Sequence, residues 1–388
     1  MTAILILDAT QRSALAATRV LGEAGYSVHT GDCESRTLAG SSKWSSAAFQ
    51  YPDPSHDPDG ALLAIKRYCA QHKIEILIPM TDVSTHLVQS APVGELPSTP
   101  CPPPDIYETA SDKGALMRLA QQVGVAIPDT HYVEPGCVLE KLPDGFEYPV
   151  ILKPTRSRVR HESGYLHTEV TLARDASELA DLQERHEWLR NYPWLLQSFV
   201  DGEGQGVFCL YDRGRAAAWF AHRRLREKPP AGGVSVLSES APFLPALRES
   251  SQLLLDAMAW HGPAMVEFRV AADGTPFLME INARFWGSLQ LSVSSGVNFP
   301  LLAAKLAQGK RLPNPSGYRL GVQNRWLLGD LDHLYLKLKG REYSLSAKLA
   351  AALRFLLPWR PGRHFEVLRW GDLGPFRYEL QRYLGLAR

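Results

Sequence analysis

The sequence lacks the features that would indicate a membrane-spanning, secreted or nucleic-acid-binding protein. No apolar run approaches the roughly 18 residues of a membrane span. The N-terminus, MTAILILDAT, has a short apolar run without a preceding basic region, as expected of a strand and not of a signal peptide. The 42 Lys and Arg residues balance 41 Asp and Glu residues, so there is no basic excess that would favour nucleic acid as a partner.

Paired cysteines are also missing. The five cysteines are scattered through the chain without a CxxC pair: Cys33, Cys69, Cys101, Cys137 and Cys209. This spacing is typical of reduced thiols and does not indicate a zinc site or a disulfide framework, so we expect a cytoplasmic protein. The length of 388 residues predicts two or three domains with a large core.

The first hundred residues have the pattern of a βαβ unit. The run AILIL (3–7) predicts a buried strand, a helical pattern follows, and YSVHT predicts a second strand, which together indicate a parallel sheet. A GxGxxG dinucleotide fingerprint is absent. A further buried strand, IEILIP (74–79), is followed by Asp82, which we interpret as either a helix N-cap or a ligand contact at the carboxyl end of the strand.

The middle of the chain alternates between predicted elements and polar connections. Prolines mark 92–105 as a linker, and a new helix is expected to open at 111–112 and to carry Lys113. Strands are predicted at 148–154, ending in Lys153-Pro154, and on both sides of a turn within 194–211. Polar loops are predicted at 155–164 and at 222–236, and a helix at about 245–260.

Two carboxylates interrupt the apolar stretch MVEFRVAADGTPFLMEINARFWGS, residues 265–288. Asp273-Gly274 predicts a two-residue type I′ turn, and the register that this turn sets puts Glu267 directly opposite Glu280. Because side chains alternate along a strand, one face is expected to carry Glu267, Arg269, Leu278, Glu280 and Asn282, and the other, core-facing side Val266, Phe268, Val270, Met279 and Ile281.

Opposed carboxylates repel each other, and semi-burial raises the pKa of both unless a cation lies between them. Magnesium (or manganese) accepts oxygen ligands, and Glu267, Glu280 and the amide oxygen of Asn282 supply three. The alternative is that Arg269 or Arg284 neutralises a structural pair of acids.

The two lysines, Lys113 and Lys153, and the hairpin with its MEINAR motif resemble the ATP-grasp superfamily over about residues 105–310. HRRLREKPPAGGVSV and MEINARFWGS look closest to its carboxylate–amine ligase branch, related to carbamoyl-phosphate synthase. The resemblance implies an α/β and α+β fold. The domains would be a Rossmann-like parallel-sheet domain (1–105), an ATP-grasp domain (106–310) with a small lid subdomain (about 125–200) and an ATP/metal subdomain (about 201–310), and a C-terminal extension packing on the core (311–388).

The resemblance also implies roles for individual residues. Lys113 and Lys153 would bind the phosphates of ATP, and Lys153, Arg224 and Arg284 would be catalytic. Base and ribose would be bound by the hinge residues Gln197, Ser198, Phe199 and Val200 together with Glu203. The loop 155–164 has Arg156, Arg158 and Arg160 where relatives often have glycines, and contact of these arginines with phosphate is left open.

The activity implied is that of a ligase that activates a carboxylate as an acyl phosphate and forms an amide bond, with release of ADP and phosphate. The alternatives are a catalytically silent nucleotide-binding regulatory module and a ligase with a non-amine nucleophile. The expected partners are a small carboxylate, an amine and a second copy of the chain. The basic amphipathic segment 344–365 predicts either weak contact with an anionic membrane surface or a helix packed on the core.

Overall fold

The computed structural model of the protein describes residues 1–156, 158–161, 164–230, 233–314, 316–341, 343–356 and 361–386, with the backbone alone for 158–161 and 164–167. The strands of these residues form one four-stranded parallel sheet, one four-stranded antiparallel sheet, one seven-stranded sheet that is mostly antiparallel, and one separate hairpin. Helices flank the sheets, so the predicted mixture of α/β and α+β architecture is confirmed.

The N-terminal sheet is entirely parallel. Its region contains β1 (Ala3–Ile6), α1 (Arg12–Glu23), β2 (Ser27–Asp32), β3 (Ala47–Gln50), α2 (Pro58–Gln71), β4 (Ile76–Ile78) and α3 (Asp82–Gln89). The strand order is β3-β2-β1-β4, and each neighbouring pair is parallel. Ile4, Leu5 and Ile6 are all fully buried, as expected for a strand that is covered on both faces. The predicted βαβ start is thereby confirmed.

The second region is built around an antiparallel sheet. Its elements are α4 (Pro104–Ser111), α5 (Lys113–Gln122), β5 (Thr130–Val133), β6 (Val150–Pro154), β7 (Arg158–His161), β8 (Gly164–His167), β9 (Thr171–Ala173), α6 (Ala176–Arg185), α7 (Glu187–Asn191) and β10 (Trp194–Ser198). The order β5-β10-β6-β9 makes β6, which carries Lys153, an interior strand. The prediction of a loop at 155–164 is wrong in part, because β7 and β8 pair as a hairpin.

The third region contains the largest sheet. Its elements are β11 (Gly202–Asp212), β12 (Arg215–Lys228), β13 (Val234–Ser240), α8 (Pro245–Ala257), β14 (Gly262–Ala271), β15 (Pro276–Asn282), α9 (Leu289–Ser295), α10 (Phe299–Ala307), β16 (Gln323–Arg325), α11 (Leu327–Lys339), α12 (Leu345–Leu356), β17 (Arg363–Phe365) and α13 (Gly374–Tyr383). The strand order is β15-β14-β11-β12-β13-β16-β17.

The basic segment 222–236 is mostly strand, so the prediction of a loop there is wrong. His222 to Lys228 pair with Val234 to Ser240 across β12 and β13. The ladder tolerates the charged residues because some find partners across the sheet: Arg223 donates to Glu239 at 2.5 Å. Composition suggested a loop, but backbone pairing determined the structure of this segment.

The C-terminal residues join both halves of the molecule. Strands β16 and β17 extend the largest sheet beyond β13. The fully buried guanidinium of Arg19, in α1, donates to Asp372 at 2.8 Å and to the carbonyls of Glu366 and Val367 at 3.0 and 2.9 Å. These bonds hold the C-terminal segment against the N-terminal sheet, while the domain boundaries themselves stay a prediction.

Helix α12 departs from the packing expected of a helix on a protein core. No residue of α12 is buried, and its leucines Leu345, Leu349, Leu353 and Leu356 are 58 to 75 % exposed. Its opposite side faces α11 and the strands β12 and β13 across a cavity. Among the described residues, no helix is long and apolar enough to cross a membrane.

Candidate active site

The hairpin β14–β15 closes with a three-residue loop, so the predicted two-residue turn is wrong. Gly274 donates its N–H to the carbonyl of Ala271 at 2.9 Å, and Ala271 donates to Thr275 at 3.0 Å. Gly274 has a φ of +88°, a backbone conformation that glycine adopts without strain. The carboxylate of Asp273 accepts the N–H of Thr275 at 2.9 Å, which stabilises the longer loop.

A β-bulge at Met279 restores the predicted pairing of the two acids. Near the loop, Phe268 pairs with Leu278, and beyond the bulge Glu267 pairs with Glu280 and Met265 with Asn282. The extra residue in the loop and the extra residue in the bulge compensate each other. Glu267 and Glu280 therefore lie opposite each other, as the sequence predicts.

The bulge also exchanges the faces predicted for two neighbouring residues. Leu278 was expected beside the acids, yet it is fully buried in the core with Phe268. Met279 was expected in the core, yet its sulfur lies 3.5 Å from Nζ of Lys153. Regular alternation fails here because Met279 has no partner on β14. The side chains between the loop and this bulge therefore project to the face opposite to the predicted one.

Asn282 lies beside both acids and is the third of the predicted metal ligands. Its Nδ2 donates to Oε1 of Glu267 at 3.1 Å and to Oε1 of Glu280 at 3.2 Å, while its Oδ1 accepts from Arg284 at 3.3 Å. In this arrangement the amide nitrogen faces the acids, and the role of the amide oxygen as a metal ligand stays a prediction. Turning the amide by half a rotation exchanges its two ends and presents the oxygen.

Two carboxylates and one amide oxygen on a hairpin fit a hard divalent cation that also binds phosphate oxygens. Among the described residues, no group of three or more His, Cys, Asp or Glu side chains could hold a metal ion by itself. Further ligands would therefore come from a nucleotide or from water. Glu267, Glu280 and Asn282 are the residues that would hold the ion.

The two acids differ in protonation. Burial and the charge of Glu280 raise the pKa of Glu267 to about 7. For Glu280 burial acts in the same direction, but Lys113 and the hydrogen bond from Asn282 outweigh it and lower its pKa. Nζ of Lys113 lies 3.2 Å from Oε2 of Glu280. The pair therefore has one firmly ionised member and one that titrates near neutrality.

Lys113 and Lys153 come from separate elements, and both interact with the charge of Glu280. Lys113 is the first residue of α5, whose N-cap Asp112 accepts from the N–H of Ala115 at 2.9 Å. Lys153 is buried at the end of β6, where burial and then the charge of Lys113 lower its pKa to about 8. An anion between these ammonium groups would stabilise both.

Arg284 connects the hairpin to the N-terminal sheet. Its Nε donates to Asp82 at 2.7 Å, and its Nη1 donates to the carbonyl of Phe285 at 3.1 Å. Asp82 is not the N-cap of α3, because Thr81 fills that position in a capping box with Ser84. The carboxyl end of β4 thus contributes an acid to the site, one of the two alternatives that its sequence position allowed.

Arg224 lies on the other side of the acid pair. Its Nη2 is 4.0 Å from Oε2 of Glu267, and its Nη1 is 3.1 Å from Oε1 of Glu227. Its neighbour Arg223 points to Glu239 instead. Alternation along β12 therefore brings one of these two arginines to the acids.

The residues expected to bind adenine and ribose line the start of β11 and the end of β10. Gln197 donates to Oγ1 of Thr130 at 2.8 Å, and its buried Oε1 has no hydrogen-bond partner among the described residues, so it fits a donor on a ligand. The N–H of Ser198 already binds the carbonyl of Asp129 at 3.0 Å. Phe199 is 42 % exposed and Val200 is half-buried.

Glu203 is exposed and borders a cavity of about 680 Å³, whose lining also includes Arg224 and Arg269. We call it the nucleotide-side cavity. A smaller cavity of about 140 Å³ is lined by Asp82, Lys113, Glu280, Asn282 and Arg284, among others.

Of Arg156, Arg158 and Arg160, the structure describes the side chain of Arg156. Arg156 pairs with Glu108 at 2.6 Å and lies 3.7 Å from Asp112. The side chains of Arg158 and Arg160, in β7, lie outside the described residues. Contact of any of these arginines with phosphate stays open.

Sequence reasoning did not predict the contact of His222 with Ser288. Its Nε2 lies 2.8 Å from Oγ of Ser288, and burial together with the charge of Arg224 lowers its pKa to about 3, so the ring is neutral. It stacks on Phe208 in the core. A lone histidine among basic residues gave no signal that it would hydrogen-bond to the serine four residues after the MEINAR motif.

Comparison with known proteins agrees with this architecture. Residues 190–328 match the family described as ATP-grasp in the biosynthetic pathway with Ter operon. No curated protein sequence matches the chain significantly.

Three solved structures show a similar fold at low identity. The biotin carboxylase–β-γ-ATP complex of Campylobacter jejuni has 16% identity and a TM-score of 0.65, over 82% of this chain and 74% of that one. The L-amino acid ligase of Bacillus licheniformis has 17% identity and a TM-score of 0.57, over 79% and 74%. The N5-carboxyaminoimidazole synthetase of Staphylococcus aureus has 13% identity and a TM-score of 0.62, over 83% and 80%.

The fold and the site define an α/β protein of ATP-grasp architecture. The chain shares the ATP-grasp fold with these structures, and its residues 190–328 match an ATP-grasp family model, while its resemblance to the carboxylate–amine ligase branch stays a prediction. The roles of the individual site residues stay predictions.

Proposed function

We propose that the protein is an ATP-dependent carboxylate–amine ligase that uses magnesium or manganese. The observation that carries the proposal is the distribution of charge around the hairpin. Glu267 and Glu280 are side by side, while the buried ammonium of Lys153 forms no ion pair with a carboxylate among the described residues. A magnesium–nucleotide has both a cation for the acids and phosphates for the lysine.

Each predicted residue has a task in this reaction. Lys113 and Lys153 bind phosphate oxygens, the hinge 197–200 and Glu203 bind base and ribose, and Glu267, Glu280 and Asn282 hold the cation. The ion would supply positive charge beside the phosphoryl oxygens. Arg224 and Arg284 orient the acid and stabilise negative charge on the transferred phosphoryl group, because phosphoryl transfer depends chiefly on positioning and charge.

The reaction proceeds in two displacements. A carboxylate oxygen attacks the γ-phosphorus, the bond from the γ-phosphorus to the bridging oxygen breaks, and ADP leaves. The amine nitrogen then attacks the acyl carbon, the bond from carbon to the phosphate oxygen breaks, and phosphate leaves as the nitrogen loses a proton. No described nucleophile–base pair is needed for these steps.

The test is ADP release by the purified protein with ATP and magnesium, after a thermal-shift screen has selected candidate acids. We expect ADP release to depend on the acid and to rise further with an amine. Release that needs the acid but no amine, with hydroxamate formation on addition of hydroxylamine, would instead support a non-amine nucleophile. Nucleotide binding without acid-dependent release would support the silent regulatory module and overturn the ligase proposal.

The remaining expectations concern location and partners. We propose a cytoplasmic enzyme that acts on small molecules and not on nucleic acid. Association of two copies and weak contact of 344–365 with a membrane surface stay predictions.

A further inference from the structure

A second cavity, of about 680 Å³, lies between the β12–β13 strands and the C-terminal helices α11 and α12. Its volume is in the range of small-molecule sites. Five cationic side chains line it, namely Arg224, Arg226, Lys337, Arg354 and Arg363, against one acidic side chain among the described lining residues, Glu227. We call it the C-terminal cavity.

Helix α12 is oriented so that this cavity stays open. Ala347, Ala350 and Ala351 line it, while the leucines of the same helix face solvent. A helix that only packs on a core turns its large apolar side chains inward. Here the small side chains and Arg354 face inward and the leucines face outward, which leaves room for a ligand instead of filling the space.

Among the described residues, the positive charges that line the cavity outnumber the acidic groups that pair with them. Arg226 pairs with Asp330 at 2.9 Å, but Asp330 is also bound by Arg325 at 2.6 Å. The pKa of Arg226 is lowered, first by burial and also by the positive charges of Arg325, Arg363 and Arg354. The cavity therefore favours an anion.

The C-terminal cavity reaches the candidate active site at Arg224. This arginine and Glu227 also line the nucleotide-side cavity, so both cavities share one wall. On that wall Nη2 of Arg224 is 4.0 Å from Glu267. Nδ1 of His333, in α11, lies 2.5 Å from the carbonyl of Glu227, which attaches the C-terminal helices to the same strand.

We propose that the C-terminal cavity binds the acid substrate, and that this acid has a second anionic group, a carboxylate or a phosphate, in addition to the carboxylate that reacts. The reacting carboxylate lies at the Arg224 end, next to Glu267. The second anionic group lies between α11 and α12, where Lys337 and Arg354 bind it. The inference that this cavity holds a substrate rests on the proposed function. The inference that it prefers anions rests on the cavity alone.

Binding of citrate and pyrophosphate to the full chain tests the anion site without catalysis. The probes are titrated in thermal unfolding, with the paired substitution Lys337→Gln/Arg354→Gln. Its control is Lys339→Gln/Lys348→Gln, which removes the same charge from the same two helices at positions outside the cavity lining. We expect saturable stabilisation of the wild type, weakened about tenfold or more in the first variant and within about twofold in the control.

Equal weakening in both variants would show a general charge effect and overturn the proposal. Absence of saturable stabilisation by either probe would overturn it as well. A response to citrate alone or to pyrophosphate alone identifies the second group as carboxylate or phosphate, respectively.

Turnover then separates this proposal from the ligase proposal. Acids are compared in pairs, each dianionic acid against the monocarboxylic acid of the same chain length, by ADP release with an amine pool. We expect the dianionic member to be preferred at least tenfold, with the preference lost in Lys337→Gln/Arg354→Gln. Preference for monoacids would overturn the substrate assignment while leaving the ligase function intact. Probe binding at the cavity without turnover of any acid would overturn the ligase proposal instead.

Discussion

At the scale of single residues, the ionisation of the hairpin acids is set by the groups around them. Both acids accept a hydrogen bond from Asn282, but Nζ of Lys113 is 3.2 Å from Glu280, whereas Nη2 of Arg224 is 4.0 Å from Glu267. This difference separates two chemically identical side chains, because the nearer cation stabilises one carboxylate more strongly. A divalent cation would remove the difference by neutralising both.

The first prediction concerns Glu280. We expect Glu280→Gln to keep the fold and to lose ATP turnover, because the amide preserves the shape of the side chain but removes a charge that would hold the cation. ADP release and near-ultraviolet circular dichroism measure the two properties. Turnover close to wild type in a folded variant would contradict the metal assignment.

The second prediction follows from the pKa of about 7 at Glu267. Below this pH Glu267 is protonated while Glu280 stays ionised, so the cation site loses one of its two negative charges. The dissociation constant of the magnesium–ATP complex should rise as pH falls from 8 to 6, by at most about tenfold per unit for one proton. Isothermal titration of the protein with the magnesium–ATP complex, repeated at each pH, measures this dissociation constant. A dissociation constant that is independent of pH would exclude this titration.

At the scale of elements, the β14–β15 hairpin shows how two local departures give the predicted pairing. Asp-Gly between apolar segments predicted a hairpin, which is present, but not its loop length. The extra residue in the loop would have shifted the acids out of register without the bulge at Met279. A single sequence does not reveal bulges, because an unpaired residue has no distinctive composition in a strand.

The third prediction concerns the leucine side of α12, with Lys348 and Arg354 on the same helix. Such a helix can lie on an anionic membrane surface, so we expect co-sedimentation with anionic liposomes at low salt. Leu349→Gln/Leu353→Gln should weaken it severalfold. Leu63→Gln/Leu253→Gln removes two exposed leucines from other helices and should have no effect. Recovery of the wild type wholly in the soluble fraction would end the membrane prediction.

At the scale of the whole molecule, the candidate site is assembled from distant parts of the chain. Asp82 comes from the N-terminal region, Lys113 from α5, Lys153 from the second sheet, and the acid pair from the third. The C-terminal residues complete the largest sheet and are bound to α1 through Arg19. The geometry of the site thus depends on the folding of the entire chain.

The fourth prediction tests whether the buried link between α1 and the C-terminal residues stabilises the protein. Arg19→Met leaves the buried carboxylate of Asp372 without its guanidinium, so we expect a loss of about 3–5 kcal/mol in the free energy of unfolding. Arg174→Met, which breaks an exposed pair with Glu178, should change it little. Urea unfolding measures both variants. Equal stability of the two would show that the buried link does not stabilise the protein.

The sequence by itself determined the parallel start, the helix that carries Lys113 and the hairpin. These follow from hydrophobic periodicity and turn chemistry, which are local. The pairing of Glu267 with Glu280 was also predicted, but in the structure it depends on the bulge at Met279, which offsets the longer loop. The tertiary structure alone decided that Asp82 meets Arg284, that Met279 meets Lys153, and that α12 turns its alanines toward a cationic cavity. Those contacts join segments far apart in the chain, and their partners are fixed by how sheets and helices pack, which local pattern does not encode.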